Sequence, residues 1–313
     1  MGLTSEQGAA RRAGIGGSDA GAVAGLSPFK SPLQCYYEKR GEAPLSEEET
    51  EAMEWGTLLE EPIAQKFSRV TGLKVRKQPL KIATGNRFML ASIDRQILGE
   101  TAILECKALN AFTRIESASD LPDYMYLQAM HYLEVYGYDK MYFAILIGGQ
   151  KFVQFPVKRD QATIDMLVAA EAEFWRRVEL GDPPSVDGSD ATKELARRLW
   201  PHDSGRIISL DSDDARATVH ALLRAKDALK SAEDKKTAAE NWLKFRMEDA
   251  STCKIPGGGE ITWKYTRTHK DEVCDLGKLK ADYPEIYAAC VTMQEKGGGR
   301  RFLVKPEKGI VTT

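Results

Sequence analysis

The chain has 313 residues, of which 42% are hydrophobic, with 44 Lys and Arg against 46 Asp and Glu, and it holds five cysteines. That is ample for one large or two ordinary packed domains, and it excludes a disordered tail, a collagen-like fibre and a small disulfide-stapled fold. The formal net charge of −2 argues against a protein that coats nucleic acid by general phosphate neutralisation, provided the charge is evenly spread.

The start, Met1-Gly2-Leu3-Thr4-Ser5-Glu6, lacks the basic-then-apolar pattern of a secretory leader. No apolar run nears the roughly 20 residues of a bilayer span. A cytosolic location with no membrane partner is therefore expected. Ser18 precedes small residues and is a candidate cap for a helix over 19–26. Ser31-Pro32 predicts a capped helix over 31–39, with Gly41 placed to end it. Residues 51–70 place Trp55, Leu58, Leu59, Ile63, Phe67 and Val70 at three- and four-residue steps, which predicts an amphipathic helix stopped by Gly72. Short strands are expected over 73–75, 80–83, 88–94 and 102–107, then a helix over 123–136. The apolar run 141–147 predicts a buried strand, joined through Gly148-Gly149 to an alternating partner over 151–157. A helix over 160–180 ends at Gly181-Asp182-Pro183-Pro184, where a domain boundary is placed.

Beyond the boundary, Ser212 caps a long Ala- and Lys-rich helix reaching about Asp249. Residues 261–265 read as a strand, with 301–304 as the expected partner. Trp242 and Trp263 are assigned to the core of this extension. The cysteines, Cys35, Cys106, Cys253, Cys274 and Cys290, make no C-x-x-C pair, so reduced thiols are expected instead of a zinc knuckle, an iron–sulfur quartet or a disulfide framework. Neither a P-loop nor a G-x-G-x-x-G is present, so ATP or dinucleotide binding has no support.

The charge is not evenly spread. Residues 42–61 carry eight carboxylates and no Lys or Arg, whereas 62–93 carry Lys66, Arg69, Lys74, Arg76, Lys77, Lys81 and Arg87 and no carboxylate. A local basic surface exists under a neutral total.

The chemistry concentrates in Ser92-Ile93-Asp94 and Glu105-Cys106-Lys107. On a strand, Glu105 and Lys107 share one face while Cys106 takes the other. If the two segments pair through a turn at Leu98-Gly99-Glu100, Asp94 reaches the face of Glu105. Two carboxylates side by side repel unless a cation neutralises them, and a hard divalent ion held by carboxylate and carbonyl oxygens does so. His131, with nothing at ligand spacing, is read as a helix-face residue near this site.

This Asp94, Glu105, Cys106, Lys107 pattern, D-x(10)-E-C-K, resembles the core of the PD-(D/E)XK nucleases, and within them the chain resembles the YqaJ-like viral recombinase group that includes phage lambda exonuclease. Arg11 to Ala20 resembles that group's R-x-x-x-I-x-x-S motif, 56–64 its G-x-x-x-E-x-x-x-A helix, Ser92-Ile93-Asp94 its S-x-D, and 124–132 the Gln-bearing helix that follows. The resemblance spans about residues 8–180 and implies an α/β (α+β) nuclease core with a central mixed sheet flanked by helices. Residues 1–184 would form it, and 185–313 a C-terminal extension of a long helix and a small sheet. By the same resemblance Asp94, Glu105 and the Cys106 backbone carbonyl hold Mg²⁺, for which Mn²⁺ substitutes. Glu60, or its neighbour Glu61, supports the metal, Lys107 is the catalytic lysine, and Gln128 positions the centre. Arg11 or Arg12, with Ser18 and Ser92, would hold a DNA 5′-phosphate. Met130 departs from the pattern, since relatives usually place a second Gln there. The implied activity is 5′→3′ exonucleolytic digestion of linear duplex DNA, leaving 3′ single strands for recombination. Its partners would be double-stranded DNA ends, a single-strand annealing protein and two further copies in a ring-shaped homotrimer, in the cytoplasm of a bacterium carrying a phage or prophage. The alternatives are a metal-dependent endonuclease of the same superfamily and a non-catalytic DNA-end-binding scaffold.

Overall fold

A computed structural model of the chain describes residues 5–43, 50–257, 259–266 and 274–292. In chain order its elements are α1 (Ser5–Arg12), β1 (Ile15–Gly16), α2 (Gly17–Val23), α3 (Pro32–Lys39), α4 (Glu51–Thr71), β2 (Val75–Arg76), β3 (Lys81–Ile82), β4 (Met89–Ala91), β5 (Arg95–Ile97), β6 (Ala102–Leu109), α5 (Asp123–Tyr136), β7 (Lys140–Ile147), β8 (Lys151–Lys158) and α6 (Gln161–Leu180). These are followed by α7 (Asp190–Leu199), α8 (Asp213–Met247), β9 (Thr252–Lys254), β10 (Glu260–Thr262), α9 (Leu276–Asp282) and α10 (Pro284–Cys290).

The centre is a five-stranded mixed sheet in the order β2-β5-β6-β7-β8. β6 runs antiparallel to β5 and parallel to β7, and β7 turns back into β8 through Gly148 and Gly149. One face buries Ile103, Met141, Phe143 and Ile145 against Met125, Ala129 and Leu133 of α5 and Ile164 and Leu167 of α6. The other buries Ile97, Ala102, Leu104 and Ala144 under Ile63, Ala64 and Phe67 of α4. The expected α/β class with a central mixed sheet flanked by helices is therefore the observed one, and no helix among the described residues is long and apolar enough to cross a membrane.

The long helices follow their caps. α4 begins on Thr50, whose hydroxyl accepts the Met53 N–H, and stops at Gly72 in the left-handed conformation. Its apolar stripe is only half used, since Ile63 and Phe67 are buried while Trp55, Leu58 and Val70 stay more than half exposed. The segment expected as one strand over 88–94 instead splits. β4 joins a separate three-stranded sheet with β1 and β3, and β5 begins at Arg95 and joins the central sheet. Asp94 lies at the crossing point between them.

α2 starts at Gly17, with Gly16 as its cap and the Asp19 carboxylate accepting the Gly16 N–H, so Ser18 lies inside the first turn and is not the cap. α2 packs unusually close to α5. A Cβ on Gly17 would lie 2.3 Å from Tyr132 Cε1, and one on Gly21 2.6 Å from Tyr124 Cβ.

The first compact unit runs to Pro201 and the second from His202, whereas the sequence placed the boundary at 184/185. The difference is α7. Leu195 packs on Leu33 and Ala43, and the Thr192 hydroxyl donates to Ser31 Oγ at 2.8 Å. In the second unit α8 is capped by Ser212, as expected, yet buries only Met247. Trp242 and Trp263 are 61% and 47% exposed, which corrects their assignment to a core, and the Arg246 guanidinium lies over the Trp242 ring. The partner of β10 is β9, and residues 301–304 lie outside the described residues.

Candidate active site

β6 alternates as its sequence demands. Cys106 packs toward α4, while Glu105 and Lys107 project to the α5 side. The antiparallel register pairs Arg95 with Leu104, which sets Asp94 opposite Glu105 across the two strands. Asp94 Oδ2 accepts the Cys106 N–H at 2.7 Å. Glu105 Oε1 accepts Lys107 Nζ at 2.6 Å and Gln128 Nε2 at 2.9 Å. Gln128 also approaches the Tyr132 hydroxyl at 3.4 Å, so α5 closes one side of the site. Asp94, Glu105, Lys107 and Gln128 are thus together, as the sequence reading expected.

The electrostatics match a cation site. Glu105 is buried, and its second oxygen, Oε2, has no hydrogen-bond partner. A buried carboxylate oxygen without a donor costs free energy that a cation would recover. Burial and then the charge of Glu105 push the Asp94 pKa up to about 8, against the opposing Cys106 N–H. For Lys107, burial opposes the charge, but Glu105 outweighs it and the pKa is raised, so the ammonium stays protonated. Among the described residues no three His, Cys, Asp or Glu side chains converge as a ligand cage. Two carboxylates supplemented by backbone, water and phosphate oxygens are the donor set that suits Mg²⁺ better than a transition metal.

Glu60 arrives from α4, but it faces the site through an intermediary the sequence reading missed. Arg95, nearly buried, reaches Glu60 with Nη1 and Glu61 with Nη2 at 2.7 Å, and Nη1 also donates to the Asp94 carbonyl at 2.5 Å. Both glutamates are therefore engaged, and the choice between them is replaced by a fork that holds both. The signal was an arginine directly after Asp94, opposite a Glu-Glu pair on a helix.

Of the expected phosphate-binding residues, the two serines follow the paired strands of the other sheet. Parallel pairing of Ile15 with Met89 and Gly16 with Leu90 sends Ser18 and Ser92 out at the same end of β1 and β4, and both are exposed. Arg11 is exposed, and its carbonyl accepts Lys39 Nζ at 2.6 Å. Arg12 is half-buried, with an Nε atom that has no partner. Lys39 also pairs with Asp19 at 2.6 Å, which ties the end of α1 to the start of α2. Burial raises the Asp19 pKa, but Lys30 and Lys39 outweigh it and hold the carboxyl well below the usual range.

His131 is fully buried and is no metal ligand. Nδ1–H donates to Glu171 at 2.8 Å and Nε2–H to the Leu90 carbonyl at 2.9 Å. Both partners are acceptors, so the ring is an imidazolium. Burial opposes that charge, and Glu171 outweighs it to raise the pKa. The pair fastens α5 and α6 to β4, the strand that leads into Ser92 and Asp94.

Residues 8–139 match the YqaJ-like viral recombinase domain. Protein YqaJ of Bacillus subtilis (strain 168) is 36% identical over 301 residues, covering 94% of this chain and 92% of that protein. The chain belongs to the YqaJ-like viral recombinase family. Asp94 lies inside the matched domain, as do Glu105, Lys107 and Gln128, so the constellation is part of the family region and not an appendage to it. Among solved structures, an alkaline exonuclease from Laribacter hongkongensis is similar with a TM-score of 0.49 and 20% identity, covering 63% of this chain and 100% of its own. A putative exonuclease from Eubacterium rectale has a TM-score of 0.45 and 14% identity, covering 70% of this chain and 98% of its own.

Proposed function

We propose that the chain is a Mg²⁺-dependent 5′→3′ exonuclease that degrades one strand of linear duplex DNA and leaves a 3′ single strand for recombination. The observation that carries this reading is the orphaned, buried Glu105 Oε2 on the strand opposite Asp94, with a protonated Lys107 fixed beside Oε1. Asp94, Glu105 and the Cys106 carbonyl would hold the ion, which when bound polarises a phosphoryl oxygen and acidifies water. Lys107 donates to a non-bridging oxygen of the scissile phosphate and offsets the charge that builds in the transition state. Gln128 fixes the Glu105 rotamer, and Arg95 keeps Glu60 close to the centre without adding a bare charge.

Arg11 or Arg12, with the hydroxyls of Ser18 and Ser92, would bind the 5′-phosphate. The unpartnered Arg12 Nε supports Arg12 as the one that turns toward a phosphate, since a buried donor without an acceptor favours an anion. Mn²⁺ would replace Mg²⁺. The family description supports a recombination setting, in which the 3′ strand passes to a single-strand annealing protein and the enzyme acts as a homotrimer ring in the cytoplasm.

The test compares linear and covalently closed circular duplex with Mg²⁺. Nucleotides released from linear DNA while circles survive support the exonuclease. Equal cutting of both makes the chain an endonuclease, and tight binding without hydrolysis under any divalent ion makes it a scaffold.

A further inference from the structure

Next to the catalytic lysine the chain presents an aromatic pair that the proposed chemistry does not use. Phe29 is 73% exposed and stands in the loop between α2 and α3. Exposure of a single phenyl ring is common and by itself means nothing. Here, however, the loop around it is fastened on both sides. Leu26 and Ser27 each donate their N–H to the Gly21 carbonyl, at 2.9 and 3.0 Å, and the Ser27 hydroxyl accepts the Phe29 N–H at 3.2 Å. The next residue, Lys30, is paired with Asp19 at 3.1 Å and Glu38 at 2.8 Å.

The ring meets Tyr124 edge to face, with centroids 5.6 Å apart and planes at 89°. Tyr124 is itself held fast, because Gly21 leaves no room for a side chain between α2 and this residue. It lies one helical turn before Gln128 and so on the same face of α5, and Gln128 and Lys107 both bond Glu105 Oε1. A rigid, open aromatic surface therefore borders the group that would contact the scissile phosphate.

We propose that Phe29, braced by Tyr124, is a stacking platform for the terminal nucleobase of the strand being degraded. This rests on the exonuclease reading and adds a substrate contact to it. Stacking on a π-face is tolerant of sequence, as an enzyme that digests any DNA end requires, and the Lys107 ammonium suits the adjoining phosphate.

The experiment uses linear duplex with 2-aminopurine as the 5′-terminal base. Binding is followed by fluorescence with Ca²⁺ in place of Mg²⁺, and digestion with Mg²⁺. The native chain is expected to quench the probe, whereas Phe29→Ala leaves it bright and raises KM by about 10-fold, with kcat within about 2-fold of native. Phe29→Trp keeps the native values, and Phe29→Leu behaves as the alanine variant while melting like the native protein. On a duplex ending in an abasic residue, native and Phe29→Ala share one KM. Native-like KM and quenching in Phe29→Ala or Phe29→Leu overturn the platform while leaving the exonuclease intact. A native chain that neither binds nor digests linear DNA overturns both.

Discussion

Asp94→Asn should stabilise the metal-free protein while abolishing its response to Mg²⁺. Burial and Glu105 raise the Asp94 pKa to about 8, so ionising Asp94 in the folded state is unfavourable. The rise from 3.8 to about 8 bounds that cost at roughly 6 kcal/mol. The site is partly open to water, so about 2 kcal/mol is the working expectation. For a carboxyl with a raised pKa, the favourable protonated contribution is complete below about pH 4 and lost as pH climbs through about 8. Asparagine keeps an oxygen for the Cys106 N–H and offers Glu105 a donor in place of a charge. Urea unfolding in chelator should therefore show no difference between variant and native near pH 4, and a variant more stable by about 2 kcal/mol near pH 9. Mg²⁺ at ten times its Kd should restore about 1.4 kcal/mol to the native protein and nothing to the variant. A stability gap independent of pH, or equal Mg²⁺ stabilisation of both proteins, would refute the reasoning.

Glu171→Gln leaves a buried imidazolium at His131 without its counter-charge, and should cost about 3 kcal/mol in urea unfolding near pH 6. Because the His131 pKa is raised, the stabilisation from the pair is complete below the ordinary histidine range and lost as pH rises through the raised value, so the variant's deficit should shrink in alkaline solution. Gly17→Ala forces a methyl group into the Tyr132 ring and should cost about 1–3 kcal/mol, read as a lower melting temperature, with slower digestion because α2 moves off α5.

Much of the fold is legible because local signals and tertiary demands agree. α4, α5 and α6 have both helical periodicity and a glycine stop at Gly72, Gly137 or Gly181. Glu105 and Lys107 needed only strand alternation to be placed on one face. The split at 88–94 was hidden, since Met89, Leu90, Ala91 and Ile93 are all buried and read as one apolar run. Only pairing with β1 on one side and β6 on the other divides them. Arg95 and the Asp19–Lys39 pair were invisible for a related reason, because their partners lie far along the chain and no spacing rule connects them. Trp242 of α8 and Trp263, just after β10, misled because a tryptophan's usual burial presumes a core, and α8 buries only Met247.

The same long-range assembly explains why the site is so compact in sequence. A hairpin, β5 and β6, supplies both carboxylates and the lysine, while α5 contributes one glutamine and α4 two glutamates through Arg95. All of these residues lie in the first compact unit.

In the proposed reaction Lys107 and the paired carboxylates hydrolyse DNA from a 5′ end. Its most direct test digests linear duplex labelled at either the 5′ or the 3′ end, in Mg²⁺, with the native chain and with Lys107→Ala. The 5′ label is expected to be released at once as mononucleotide while the 3′ label stays in long strands. Lys107→Ala is expected to lose at least about 100-fold in rate while still binding the duplex. Release of the 3′ label first, or native-like digestion by Lys107→Ala, would contradict it.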